Sequence, residues 1–170
     1  MSILKILSYP DPKLQRVAIQ VENIDSNIKK IISDMFETHY STPNCAALAA
    51  TQLDLPDPVP HITVIDFSEH KNQPLCLINA KIISSYGKHR EVEGCMSVYP
   101  EHVHAAVTRA SKITVEYLDE TGDRKTLQAD DFMAKCIQHE LDHLDGKIYL
   151  DHLSRVKRSM LECKIAKLKR

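Results

Sequence analysis

Gln-His-Glu-Leu-Asp-His, Gln138 to His143, constrains this chain more than any other stretch. On a helix, histidines four positions apart lie on one face, about 6 Å from each other. Glu140 is turned by roughly 100° from His139. It can therefore reach a water on a shared metal without being a ligand. A divalent ion lowers the pKa of such a water toward ~7, and a carboxylate can then take its proton. The pattern asks for a central helix and for a third ligand brought to it by another segment. Two solvated histidines on a surface helix are the bland alternative, because short motifs recur by chance.

The third ligand has two candidate sources. The zinc-protease pattern that continues to a third histidine is broken: Gly146 stands in place, but Tyr149 occupies the ligand position. Glu162, the glutamate downstream of His143, keeps a carboxylate-ligated site open. Glu93-Gly94-Cys95-Met96-Ser97, upstream, is the better candidate. A glycine beside a cysteine suits a sharp turn, and a thiolate with two imidazoles leaves one position for water. Alone, Cys95 reads as a small buried hydrophobe; in a chain with His-Glu-x-x-His it reads as a ligand.

Around these motifs the pattern is α+β. Ile28, Ile31, Ile32, Met35, Phe36 and Tyr40 recur at helical spacing within 25–40, and Pro43 ends that run. Strands are expected at 61–67, 74–83 and 111–120. A turn at 120–123 pairs the last of these with 124–129. Phe132, Met133, Cys136, Ile137, Glu140, Leu141 and Leu144 mark the helix that carries the histidines, and Asp145-Gly146 stops it. A C-terminal helix has Leu153, Val156, Met160, Ile165 and Leu168 on one stripe. Its other face carries Arg155, Lys157, Arg158, Lys164, Lys167, Lys169 and Arg170. Asp11-Pro12 opens a short N-terminal turn of helix. The expected architecture is mostly antiparallel strands around a central metal-binding helix, with an N-terminal and a C-terminal helix, in a single domain over 1–170.

Composition narrows the setting. A formal net charge of -1 creates no field that would gather DNA or a membrane surface. No apolar run approaches the roughly 20 residues of a membrane span, and the N-terminus is too short in its apolar part for a secretory signal. Five widely spaced cysteines without Cys-x-x-Cys argue against a disulfide framework and for a reducing, cytoplasmic setting.

With Glu93–Ser97 and Gln138–His143 both in view, the chain resembles the peptide deformylases. Their second motif is Glu-Gly-Cys-Leu-Ser, matched here with Met96 for Leu, and their third is Gln-His-Glu-x-Asp-His, matched fully. Their first, Gly-x-Gly-Leu-Ala-Ala-x-Gln, survives as Leu48, Ala49, Ala50 and Gln52, with Cys45 and Ala47 in place of both glycines. The resemblance implies removal of the N-formyl group from the formylmethionine of nascent polypeptides. It implies one divalent metal held by Cys95, His139 and His143, iron(II) in the cell, with zinc, nickel or cobalt able to replace it. Hydroxide on that metal would attack the formyl carbon, with Glu140 as general base and acid. The Gln52 side chain and the Met96 N–H would hold the oxyanion. The implied substrate pocket takes in Cys45, Ala46, Ala47, Leu48, Glu91, Glu93, Gly94, Phe132, Lys135 and Cys136. Glu93, Ser97 and Gln138 would shape and support the ligands, or serve as ordinary turn and surface residues. The basic C-terminal helix would dock on the ribosome, or be a solvated charged face.

The departures cluster at the site. If the lost glycines needed positive φ, Cys45 and Ala47 would cost on the order of 1 kcal/mol each; otherwise the glycines served for clearance. Compared with the family pattern, the segment preceding motif one is longer by one residue and the segment following motif two by about two. An arginine that contacts substrate in the family is replaced near His102, while Arg109 is kept. Glu91 and Lys135 stand where the family prefers apolar residues, and either face each other at the pocket mouth or point to solvent. These changes leave two alternatives beside the plain deformylase. One is a related metal hydrolase with altered acyl or side-chain preference; the other is a low-activity peptide-binding paralogue.

Overall fold

The computed structural model describes residues 2–169. Arg170, placed by sequence on the basic face of the last helix, lies outside them. The first helix, α1 (Ser26–Ser41), starts where the Asp25 side chain accepts the Ile28 N–H at 2.9 Å, and it stops two residues before Pro43. A short strand β1 (Ala47–Ala49) leads into a 3-10 turn over Ala50–Gln52. Then follow β2 (Ile62–Ile65), β3 (Leu75–Tyr86), β4 (His89–Glu93), β5 (Ala105–Arg109), β6 (Lys112–Leu118) and β7 (Arg124–Asp130). Helix α2 (Asp131–Leu144) carries the two histidines, and α3 (Arg155–Leu168) closes the chain.

All strand pairings are antiparallel. β1-β2-β3-β6-β7 form one sheet, and β4 and β5 form a separate hairpin. Helix α2 packs Ala134, Cys136 and Ile137 with Leu77, Ile113 and Val115 of the sheet, while Ile32 and Met35 of α1 join Leu48, Ile62 and Val64. A third cluster, Val98, Val103, Val107, Tyr149, Leu150 and Ile165, seats the hairpin against the C-terminal region. Gly146 ends α2 at φ +72, and a Cβ there would stand 2.5 Å from the Gln15 carbonyl oxygen, so both backbone and space require glycine.

Two features differ from the sequence reading. β1 and the β4–β5 hairpin are not legible in it. β1 is three residues of Ala-Leu-Ala, and β4 is His-Arg-Glu-Val-Glu, which has little strand character. The expected apolar stripe of α3 is also displaced. Val156 and Met160 are 71% and 68% exposed, and Leu168 is exposed as well. Ile165 is buried, with Leu161 and Leu153 packed beside it. Leu161 and Ile165, four apart, define the packed face.

Candidate metal centre

Two separate segments meet at one point. Cys95 follows β4, and His139 and His143 lie one turn apart on α2. Their sulfur and ring-nitrogen atoms all lie within 4.8 Å of one another. Cys95 Sγ is 3.1 Å from His143 Nε2, which is 3.2 Å from His139 Nε2. The other candidate ligand, Glu162, is elsewhere: its Oε1 accepts from the Tyr9 hydroxyl at 2.7 Å and from Arg158 Nε at 2.9 Å.

The ligands are held by charged partners. Glu93 Oε2 lies 2.9 Å from His139 Nδ1, which turns the opposite nitrogen, Nε2, toward Cys95 and His143. Arg109 grips Glu93 twice, Nε to Oε1 at 2.6 Å and Nη2 to Oε2 at 3.0 Å. It also donates through Nη1 to Asp142 at 2.7 Å. Burial alone would raise the Glu93 pKa, but the bonds from His139 and Arg109 prevail and hold it at about 2. Burial likewise opposes charge on His139, and is outweighed by Cys95 and Glu93, which lift it to about 10 without a metal. Burial keeps His143 neutral, and the neighbouring positive charges of His139 and Arg109 add to it. Glu140 is buried, its Oε2 has no partner, and burial raises its pKa to about 7.

The first motif is tied to the other two. Thr51 Oγ1 donates to the His143 carbonyl at 2.6 Å. Gln52 Oε1 accepts the Ala49 N–H at 2.9 Å, so its amide nitrogen faces the ligands, 3.1 Å from Ser97 Oγ and 3.5 Å from Cys95 Sγ. The N-terminal segment braces both motifs from outside: Leu7 N–H donates to Gln52 O, and Tyr9 N–H to Ser97 O. Gln138 is not at the metal point; its amide bonds the Ala110 backbone on both sides and fixes α2 to the sheet.

A cavity of about 580 Å³ opens beside the triad. Of the expected pocket residues it brings together Ala46, Ala47, Glu93, Gly94, Phe132, Lys135 and Cys136, along with Gln52, Met96 and Glu140. Cys45 and Leu48 do not reach it: both are buried in the core against α1 and the sheet. Glu91 lies outside the lining, but its carboxylate meets the Lys135 ammonium, so the pair faces each other. The carboxylate of Glu93 is taken up by His139 and Arg109, which makes it a ligand support. The lost glycines cause no strain: Ala47 lies in an extended strand, and the left-handed residue of that loop is Asn44, at φ 57. His104 was not singled out by sequence. It lines the cavity so close to Gly94 that a Cβ there would stand 2.8 Å from its ring. No local signal marks it, because the hairpin that brings it there was not legible.

Comparison with known proteins agrees with this geometry. The family model described as polypeptide deformylase matches residues 3–159. A protein named peptide deformylase 1 from Coxiella burnetii is 56% identical over 168 residues, which are 99% of this chain and 98% of that one. A peptide deformylase of Nitrosococcus oceani is 48% identical over 170 residues, covering 100% of this chain and 98% of the relative. The crystal structure of a peptide deformylase from Legionella pneumophila superimposes with a TM-score of 0.91 at 37% identity, covering 99% of this chain and 96% of that one. From the ligand triad to the ends of the sheet, the chain belongs to the polypeptide deformylase family.

Proposed function

We propose that this chain hydrolyses the N-formyl group of formylmethionine at the N-terminus of nascent polypeptides, releasing formate and a free amine. The observation that carries the reading is the convergence of Cys95, His139 and His143 beside a buried Glu140 oxygen that has no protein partner. A thiol and two imidazole nitrogens packed this closely, one imidazole fixed from behind by a carboxylate, fit a divalent ion. That ion, when bound, supplies a Lewis acid and an activated water.

The chain's own residues do the rest. Glu93 keeps the proton of His139 on Nδ1, leaving Nε2 for ligation. Glu140 takes the proton of the attacking water and gives it to the departing amine as the C–N bond breaks. The Gln52 amide, oriented by Ala49, and the Met96 N–H donate to the oxygen that gains charge. Ala46, Ala47, Phe132, Lys135 and Cys136 receive the substrate in the cavity. Retention of the whole proton-handling set favours turnover over a binding-only paralogue.

Iron(II) is the proposed ion in the cell. Zinc, nickel and cobalt accept the same donors, and the thiolate makes an iron form sensitive to oxygen. The exposed Arg155, Lys157, Lys164 and Lys167 of α3, with Lys169 at its C-terminal cap, are the proposed ribosome contact. Nascent substrate and five free cysteines suit a cytoplasmic location. The test is formate release from a formyl-Met tripeptide by protein prepared anaerobically with iron(II) or nickel(II). Turnover that a chelator abolishes and metal restores supports the reading; none from fully loaded protein defeats it.

A further inference from the structure

One wall of the cavity carries a charge that the deformylation chemistry does not use. Lys135 precedes His139 by one turn of α2, so the two share a face. Its ammonium bonds the Glu91 carboxylate on β4 and lies 4.9 Å from the centre of the Phe132 ring, within cation–π range. The Lys135 side chain is 19% exposed and lines the cavity, whereas Glu91 is 39% exposed and stands behind it, outside the lining. Of this ion pair, Lys135 lines the cavity and Glu91 does not, while both border a smaller cleft between α2 and the β4–β5 hairpin. The cavity offers apolar or small surface at Ala46, Ala47, Val92, Phe132 and Cys136, and its lining also includes Glu93, Glu101 and Glu140.

An ammonium has three N–H donors. Glu91 takes one, and the Phe132 face covers another side. A purely apolar side chain packed here would strand the remaining donor, which is unfavourable once water is excluded. A side chain ending in a neutral oxygen would satisfy it. A carboxylate gains less, because Glu91 already answers the charge.

Resting on the deformylase reading, we propose that Lys135, held by Glu91 and Phe132, is a specificity-determining residue. It lets the side-chain subsite beside the metal centre accept a first residue that ends in a neutral oxygen acceptor. Glutamine, or methionine oxidised to the sulfoxide, belongs to that class. Glu91 keeps the same subsite from selecting acidic side chains.

The test compares kcat/KM for formyl-Met, formyl-Gln and formyl-Glu tripeptides that differ only in the first residue. Metal-loaded wild type, Lys135→Met and Glu91→Gln are measured side by side. Glu91→Gln is isosteric and Lys135→Met is one atom shorter and unbranched, so neither adds bulk, and thermal unfolding of both checks that the fold is retained. Lys135→Met lowers the Gln-to-Met ratio by roughly tenfold, the effect of one lost charged hydrogen bond. Glu91→Gln raises the Glu-to-Met ratio by about tenfold or more, and added salt reduces that gain. Formate release with both ratios unchanged in the two variants overturns the proposal and leaves the deformylase reading intact. No formate from any peptide with loaded wild type overturns both.

Discussion

Arg109 shows how much the ligand set depends on a residue that touches neither metal nor substrate. Arg109 and Glu93 are both buried, and Glu93 in turn holds His139. Removing one partner of a buried pair leaves the other charge without compensation and costs about 3–5 kcal/mol. Arg109→Met is therefore expected to lower unfolding stability by about that amount in urea titrations. It should also weaken metal binding by roughly 10–100-fold in chelator competition, since His139 loses its fixed orientation. A variant with wild-type metal affinity would show that the Glu93 clamp is dispensable. His139, His143 and Glu140 were legible because helical spacing places them together, whereas Cys95 was preferred over Glu162 from its Gly-Cys turn and the resemblance of Glu93–Ser97 to the family's second motif. Arg109 was visible only as a kept residue; in the β4–β5 register it stands opposite His89, and its side chain reaches along the hairpin to Glu93, four residues further on β4. That register has no local signature, and neither does the approach of His104 to Gly94.

At the scale of single elements, α3 separates pattern from packing. Ile165 is 3% exposed among Val98, Val103 and Leu150, whereas Met160 faces solvent. Ile165→Ala is expected to cost about 2–5 kcal/mol, and Met160→Lys to stay within about 0.5 kcal/mol of wild type. Thermal unfolding of the two variants checks this; equal losses would mean that the expected stripe, not the observed one, faces the core. The stripe misled because Leu161 and Ile165 bury the same side as Arg158 and Glu162, whose polar ends bond Asp151 and Tyr9. A face that mixes apolar and charged residues does not read as amphipathic. Helices α1 and α2 were legible because apolar residues recur at helical spacing along each, although α1 also buries Asp34, Thr38 and His39 and α2 buries Glu140 and His143. β3 and the β6–β7 hairpin were legible too, through Val-Ile-rich runs and the Gly122 turn, although β3 runs on to Tyr86.

Across the whole molecule, stability is coupled to pH by a histidine remote from the reaction. His39 is completely buried on α1, and the Ala46 backbone, which favours its charged form, does not offset that burial. Burial lowers its pKa below the ordinary 6.5. The unfolded chain therefore binds a proton more readily, so stability is full above about pH 6.5 and falls as the pH drops through the folded value. The slope from one such group reaches at most about 1.4 kcal/mol per pH unit. His39→Gln should flatten the dependence of the urea midpoint on pH between 6.5 and 5; identical slopes in variant and wild type would rule His39 out as its source.

The central claim is that the Cys95 turn and helix α2, neither sufficient alone, assemble a metal centre around a base that moves protons. Formate release by Glu140→Gln, compared with wild type at equal metal loading, tests it most directly. The account predicts one bound divalent ion in each protein and a loss of about 10²–10⁴-fold in kcat for the variant. Equal turnover by fully loaded variant and wild type would contradict it.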